Sequence, residues 1–221
     1  MNTATVFKTG NTARVFFLLI LVFCLISELV KAQTSSLKTV QKVVILGDSL
    51  TEGYGVSQTS AFPYLLQKKF DQENIPLKII SSGSSGSTSA SGLQRIKWIA
   101  KDKPDFVLLL LGSNDGLRGL SINQTEKNLN ETVAWAKNNN IKIAIGQLHV
   151  PPNYTVDYGK KFEKMYSNVA KKQKIELAPF LLTGVAGIKD LNLADGIHPN
   201  EKGHVIVANN LYPFLKSWIK K

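Results

Sequence analysis

Asp195 and His198 stand three residues apart in DGIHPN (Asp195–Asn200), and Ser49 follows an apolar run in VVILGDSLTEGYGV (Val43–Val56). Acyl-transfer chemistry needs these three types: a hydroxyl to attack, an imidazole to take its proton, and a carboxylate that fixes the imidazole's tautomer. One turn over 195–198 would let the carboxylate meet Nδ1 of His198 while Nε2 faces Ser49. Each fragment also has a plainer reading. Apolar runs often end in polar turns, and an Asp-x-x-His can be merely a capped helix start. His149 follows a strand-like run with no carboxylate close in sequence, and His204 falls in a helical pattern that suits packing. No histidine pair forms a metal cluster and no HExxH segment exists. The glycine-rich SSGSSGSTSASG (Ser81–Gly92) lacks the spacing and lysine of a P-loop and the GxGxxG of a dinucleotide site. Neither metal nor cofactor is expected.

The elements that must position these groups are legible as apolar runs. KVVIL (Lys42–Leu46), PLKII (Pro76–Ile80), FVLLLL (Phe106–Leu111), IKIAIG (Ile141–Gly146) and the shorter IELA (Ile175–Ala178) are continuous rather than alternating. Strands covered on both faces by helices have that pattern. Between them AFPYLLQKKFDQ, GLQRIKWIAKD, NQTEKNLNETVAWAKNN and YGKKFEKMYSNVAKKQ carry apolar residues at three- and four-residue intervals. The tail from Asn200 does the same through Val205, Ala208, Leu211, Leu215 and Ile219. The alternation predicts a three-layer α/β/α sandwich on a five-stranded parallel sheet with right-handed crossovers. Ligands in such sheets sit at the carboxyl ends of the strands. Ser49, the Ser81–Gly92 loop, GSND (Gly112–Asp115), QLHVPPNY (Gln147–Tyr154) and DGIHPN all fall there.

Lys8 and Arg14 precede VFFLLILVFCLI (Val15–Ile26), the positive-then-apolar order of an export signal. Twelve apolar residues are fewer than the about 17–25 of a spanning helix. Residues 1–32 are therefore expected to be a signal peptide, with Val30 and Ala32 before the cut, and 33–221 a single domain. The expected location is periplasmic or secreted. The one cysteine, Cys24, would leave with the signal, which excludes a thiol nucleophile and cysteine–metal sites. Removing residues 1–32 takes three basic and one acidic side chain, so the net charge falls from +11 to +9. The lysines are spread over helix-like stretches such as KKFDQ, KKFEKMY and KKQK. That distribution argues for solvated faces with a bias towards transient contact with anionic membranes, and against nucleic acid. The domain is expected to be a monomer.

Taken in order, GDSL at Gly47–Leu50, the loop glycine Gly86, GSND at Gly112–Asp115 and DGIHPN resemble the four blocks of the GDSL, or SGNH, hydrolases, whose sheet is flavodoxin-like. More narrowly the chain is similar to the bacterial periplasmic thioesterase I / lysophospholipase L1 / arylesterase group. The match covers most of Lys42–Trp218 and includes TEGYG, TSASGL, GSNDGLRG, PPNY and LADGIHPNEKGH. The resemblance implies that Ser49 is the nucleophile, His198 the general base and Asp195 its orienting acid. It implies an oxyanion hole made from the N–H groups of Ser49 and Gly86 and the side-chain amide of Asn114.

The same resemblance implies acyl thioesters, lysophospholipids and simple esters as substrates, with Leu117, Arg118, His149, Val150 and Pro151 walling the acyl site. Burial of each methylene there would contribute about 0.8 kcal/mol. Two alternatives stay open: a carbohydrate O-acetyl esterase, against which GLRG and PPNY argue, and a noncatalytic lipid-binding module. The chain also departs from the family pattern. Ser81-Ser82 stand where an Asn-Ala pair is common, and Ser87 where an acidic residue follows the loop glycine. Serine reaches less far than either, so the support of Gly86 is expected to differ.

Overall fold

The computed structural model describes residues 40–150 and 155–221. The expected signal peptide, residues 33–39 and Pro151 lie outside the described residues.

Five parallel strands form one sheet in the order β2-β1-β3-β4-β5: β1 (Gln41–Gly47), β2 (Leu77–Ser82), β3 (Phe106–Leu110), β4 (Lys142–Gly146) and β5 (Glu176–Ala178). The central strands are the apolar ones. Val43–Leu46 of β1 and all of β3 are buried, because helices cover both faces. The outer strands are only partly buried, which the continuous-run pattern does not distinguish. The register pairs Gly47 with Leu110 and Leu46 with Ser82, so the ends of β1, β2 and β3 are level. Chain direction across the sheet reverses between β1 and β3, and this is the switch point at which ligands bind in sheets of this kind.

Two groups of helices flank the sheet. On one side α2 (Phe62–Gln72) packs against the last helix, α7 (Glu201–Trp218). On the other, α5 (Ile122–Asn138) lies between α3 (Gly92–Ile99) and α6 (Val156–Gln173). Two short helices, α1 (Ser49–Glu52) and α4 (Ser113–Leu117), begin at the ends of β1 and β3. Helix α2 has Pro63 in its first turn, where no N–H is needed, and buries Phe62, Leu66 and Phe70 at four-residue spacing. The amide of Gln67 on α2 turns to the outer side of β2: Oε1 accepts from Ile79 N–H at 2.6 Å, and Nε2 donates to the Leu77 carbonyl at 2.9 Å.

The buried face of the last helix follows the sequence reading at Ala208, Leu211, Leu215 and Ile219 and departs from it at Val205. Its buried stripe runs through His204, Val207, Ala208, Leu211, Leu215 and Trp218, and Val205 is exposed. His204 is 1% exposed: its Nδ1 accepts from Phe62 N–H at 3.2 Å, and its ring stacks on Phe62. A polar residue thus occupies a core position, as its place in the helical pattern suggests, and Val205, the next residue, faces out. Among the described residues no helix is long and apolar enough to cross a membrane.

Candidate active site

Ser49 is the first residue of α1. Asp48 caps that helix, its Oδ1 accepting from Leu50 N–H at 3.0 Å, and Gly53 ends it in the left-handed conformation. The turn is therefore built from the sequence Gly-Asp-Ser-x-x-x-Gly itself. Burial raises the Asp48 pKa, against the opposing effects of the Leu50 N–H, Ser113 and His198. The other side of this turn is tied by Arg95 on α3, whose guanidinium donates to the carbonyls of Gly47 at 2.8 Å and of Ser82. One half-buried side chain so joins the ends of β1 and β2.

Ser49 Oγ lies 2.8 Å from His198 Nε2, and His198 Nδ1 lies 2.7 Å from Asp195 Oδ2. A carboxylate only accepts, so Nδ1 carries the proton and Nε2 is left to accept from the serine hydroxyl. Desolvation works to raise the Asp195 pKa. The N–H groups of His198 (3.0 Å) and Ile197 (2.9 Å), together with the imidazole, outweigh it and hold the carboxyl below its ordinary value. The 192–200 segment is fastened at both ends. Leu193 N–H donates to the His198 carbonyl at 2.8 Å, and the Asn192 and Asn200 amides donate to backbone carbonyls of Val185, Ile188 and Asp190. Tyr54, just past α1, lays its ring 4.7 Å from the imidazole.

Gly86 sits in a turn closed by Ser87 N–H on the Ser84 carbonyl, with φ of 75°, a conformation that suits glycine. Asn114 Nδ2 donates to the Ser87 carbonyl at 3.0 Å, and Arg118 donates to the Gly86 carbonyl at 3.1 Å. Asp115 is buried and accepts from Ser89 N–H (2.8 Å) and Thr125 Oγ1 (3.1 Å), which anchors the loop to α4 and α5. Ser49, Gly86, Asn114, Asp195 and His198 thus belong to one connected set of loops. Arg118 joins that set directly, and Leu117 precedes it at the end of α4.

His149 does have a carboxylate partner, supplied from α6 rather than from nearby sequence. Its Nε2 is 3.3 Å from Glu163 Oε1, and its ring stacks on Phe180 at 3.8 Å and 5°. Burial lowers the His149 pKa, against the pull of Glu163. Val150 is half-buried and packs against α4 at Gly116. Among the described residues no group of three or more His, Cys, Asp or Glu side chains could hold a metal ion.

Sequence reasoning passed over Tyr54, Glu52 and Arg95. Tyr54 lies within the TEGYG stretch. A lone arginine on an amphipathic helix, like Arg95, gives no signal of the carbonyls it will meet.

The sequence profile of the GDSL-like Lipase/Acylhydrolase family matches residues 45–206. The chain is 34% identical over 199 residues to esterase TesA of Pseudomonas aeruginosa, covering 90% of this chain and 97% of that one. It is 34% identical over 180 residues to thioesterase 1/protease 1/lysophospholipase L1 of Escherichia coli K12, covering 81% of each. The crystal structure of the psychrotrophic esterase EstA from Pseudoalteromonas sp., inhibited by monoethylphosphonate, superposes with a TM-score of 0.79 at 32% identity. That match covers 82% of this chain and 100% of EstA.

Proposed function

The chain belongs to the GDSL-like lipase/acylhydrolase family and is an acyl-ester hydrolase, and from that premise we propose that it works through an acyl-serine intermediate on Ser49. The observation that carries this reading is the unbroken chain Ser49 Oγ–His198–Asp195, with links of 2.8 and 2.7 Å. His198 Nε2 takes the hydroxyl proton as Oγ attacks the carbonyl. Asp195 holds the ring in its tautomer and stabilises the imidazolium that forms. The oxyanion receives the N–H groups of Ser49 and Gly86 and the second amide hydrogen of Asn114, the first being held by Ser87. His198 then returns the proton to the leaving alkoxide or thiolate, and water repeats the attack on the acyl-serine.

The substrates proposed are acyl thioesters, lysophospholipids and simple carboxylic esters. The names of the P. aeruginosa and E. coli relatives support that range. Leu117, Arg118, His149, Val150 and Pro151 are the proposed walls, with His149 held rigid by Phe180 and Glu163. The enzyme is proposed to act outside the cytoplasmic membrane after loss of residues 1–32, as a monomer in transient contact with anionic lipid.

A substrate panel tests this reading. Exported protein, whose intact mass should begin at Gln33, is assayed with acyl-CoAs, lysophospholipids, p-nitrophenyl esters of increasing length and acetylated sugars. Medium or long acyl chains are expected to exceed acetyl in kcat/KM, and S49A and H198A to lose activity by several decades. Wild-type turnover by S49A would reject the nucleophile. Acetylated sugars as the best substrates, with longer chains inert, would make the carbohydrate esterase reading correct.

A further inference from the structure

The Gly86 turn and the Ser49 helix are joined by a carboxylate outside the triad. Glu52 is the last residue of α1, one turn beyond Ser49. Its Oε2 accepts from Ser85 N–H at 2.7 Å and also from Ser85 Oγ. Ser85 immediately precedes Gly86, and the peptide between them carries the Gly86 N–H. Two further contacts press the same surfaces together. Ser84 N–H donates to the Gly47 carbonyl at 3.2 Å. Gly83 lies so close to α1 that a Cβ on it would come within 2.1 Å of Glu52 N. The loop therefore meets the end of β1 and α1 through backbone at Ser84 and Gly83, and through side chains at Ser81, whose Oγ donates to the Thr51 carbonyl at 3.0 Å, and at Ser85.

Resting on the assignment of Gly86 N–H as an oxyanion donor, we propose that Glu52 is a positioning residue that sets the distance between nucleophile and donor. The carboxylate touches no reacting atom. It fixes Ser85, and with it the direction of the next N–H, relative to the helix whose first residue is Ser49. Arg118 and Asn114 restrain the carbonyls of Gly86 and Ser87 on the far side of the same turn. The peptide bearing the donor is thus held from before and behind. Glu52 is exposed, so its charge is screened by solvent and its contribution is geometric. Both of its hydrogen bonds end on one oxygen, which a glutamine amide can also supply.

The test uses full-length enzyme with p-nitrophenyl butyrate and thermal unfolding in parallel. E52A should lose about tenfold in kcat, as expected of a donor set slightly out of place. Its KM and unfolding midpoint should stay near wild type. E52Q should keep most of the wild-type kcat. S85A should lose less than E52A, and the double variant E52A/S85A should be no worse than E52A alone, because both changes break the same link. E52A with wild-type kcat would overturn the proposal, and so would E52Q falling as far as E52A, since charge would then be the operative property. If E52A does not fold, E52Q, S85A and E52Q/S85A decide the matter through the same kcat and KM split. S49A in the same assay separates the two levels. Activity in S49A would sink the triad reading, whereas inactive S49A beside unimpaired E52A would sink only the role of Glu52.

Discussion

Asn114 has two amide hydrogens and two different tasks for them. One is fixed on the Ser87 carbonyl at 3.0 Å, which orients the side chain, and in the mechanism proposed above the other receives the oxyanion. On that proposal the donor is oriented before substrate arrives, and its stabilisation grows as negative charge develops. N114A should therefore lower kcat by roughly 10²–10³, the range known for single oxyanion donors, with KM little changed. Steady-state kinetics on one p-nitrophenyl ester would check this. A rise in KM at constant kcat would instead make Asn114 a ground-state binding residue. The same dual use explains how the loop survives its departures from the family pattern. Ser81 Oγ bonds the Thr51 carbonyl, Ser82 is held by Arg95, and Ser87 by Asn114, so neighbours reach in where a short side chain cannot reach out.

At the level of elements, α7 both follows directly on the loop that holds His198 and carries a second imidazole into the core. His204 accepts from the first N–H of α2 through Nδ1, so the neutral form is built into the packing of the two helices. Burial pushes its pKa down from 6.5 to about 4. The unfolded chain binds a proton that the native chain refuses. This stability contribution is whole above pH 6.5 and is lost as pH falls towards 4, by up to about 1.4 kcal/mol per pH unit. Denaturant unfolding between pH 7.5 and 4.5, with the imidazole followed by NMR, reads this directly. A His204 resonance titrating near 6.5 in the folded protein would refute it.

Elements were legible in the sequence where burial is two-sided, as in Val43–Leu46 and Phe106–Leu110, because nothing polar interrupts those runs. The hydrogen-bonded chain Ser49–His198–Asp195 was legible because Asp195 and His198 are local to each other and Ser49 ends a strand. The buried face of the last helix was legible at Ala208, Leu211, Leu215 and Ile219, but the outward turn of Val205 was not, since His204 takes the core position beside it. The Glu163 partner of His149 and the Glu52–Ser85 link were not legible either. Both join residues from separate elements, and only the packing of α6 against β4, or of the loop against α1, brings them together.

The basic balance of the whole molecule has a structural reading of its own. Lys137, Lys171 and Lys172, and Lys216 stand in the last turns of α5, α6 and α7, where cations offset the negative end of the helix dipole. Others pair along or between surfaces, as Lys161 with Asp157 at 2.7 Å and Lys221 with Glu176 at 2.7 Å. Each such exposed pair contributes little stability. The amide of Gln67 has a consequence at this scale. An open parallel sheet ends in two rows of unpaired peptide groups, each a template on which another copy could lay a strand. On one border Gln67 imitates the missing neighbour, taking the N–H of Ile79 and the carbonyl of Leu77. On the other, β5 is only three residues long and offers too short a rail. Concentrated protein should accordingly sediment as a single species of one chain. Q67A, which bares that border while leaving the triad untouched, should keep its kcat yet aggregate sooner on warming. Wild-type resistance to aggregation in Q67A would show that the border is guarded by something else.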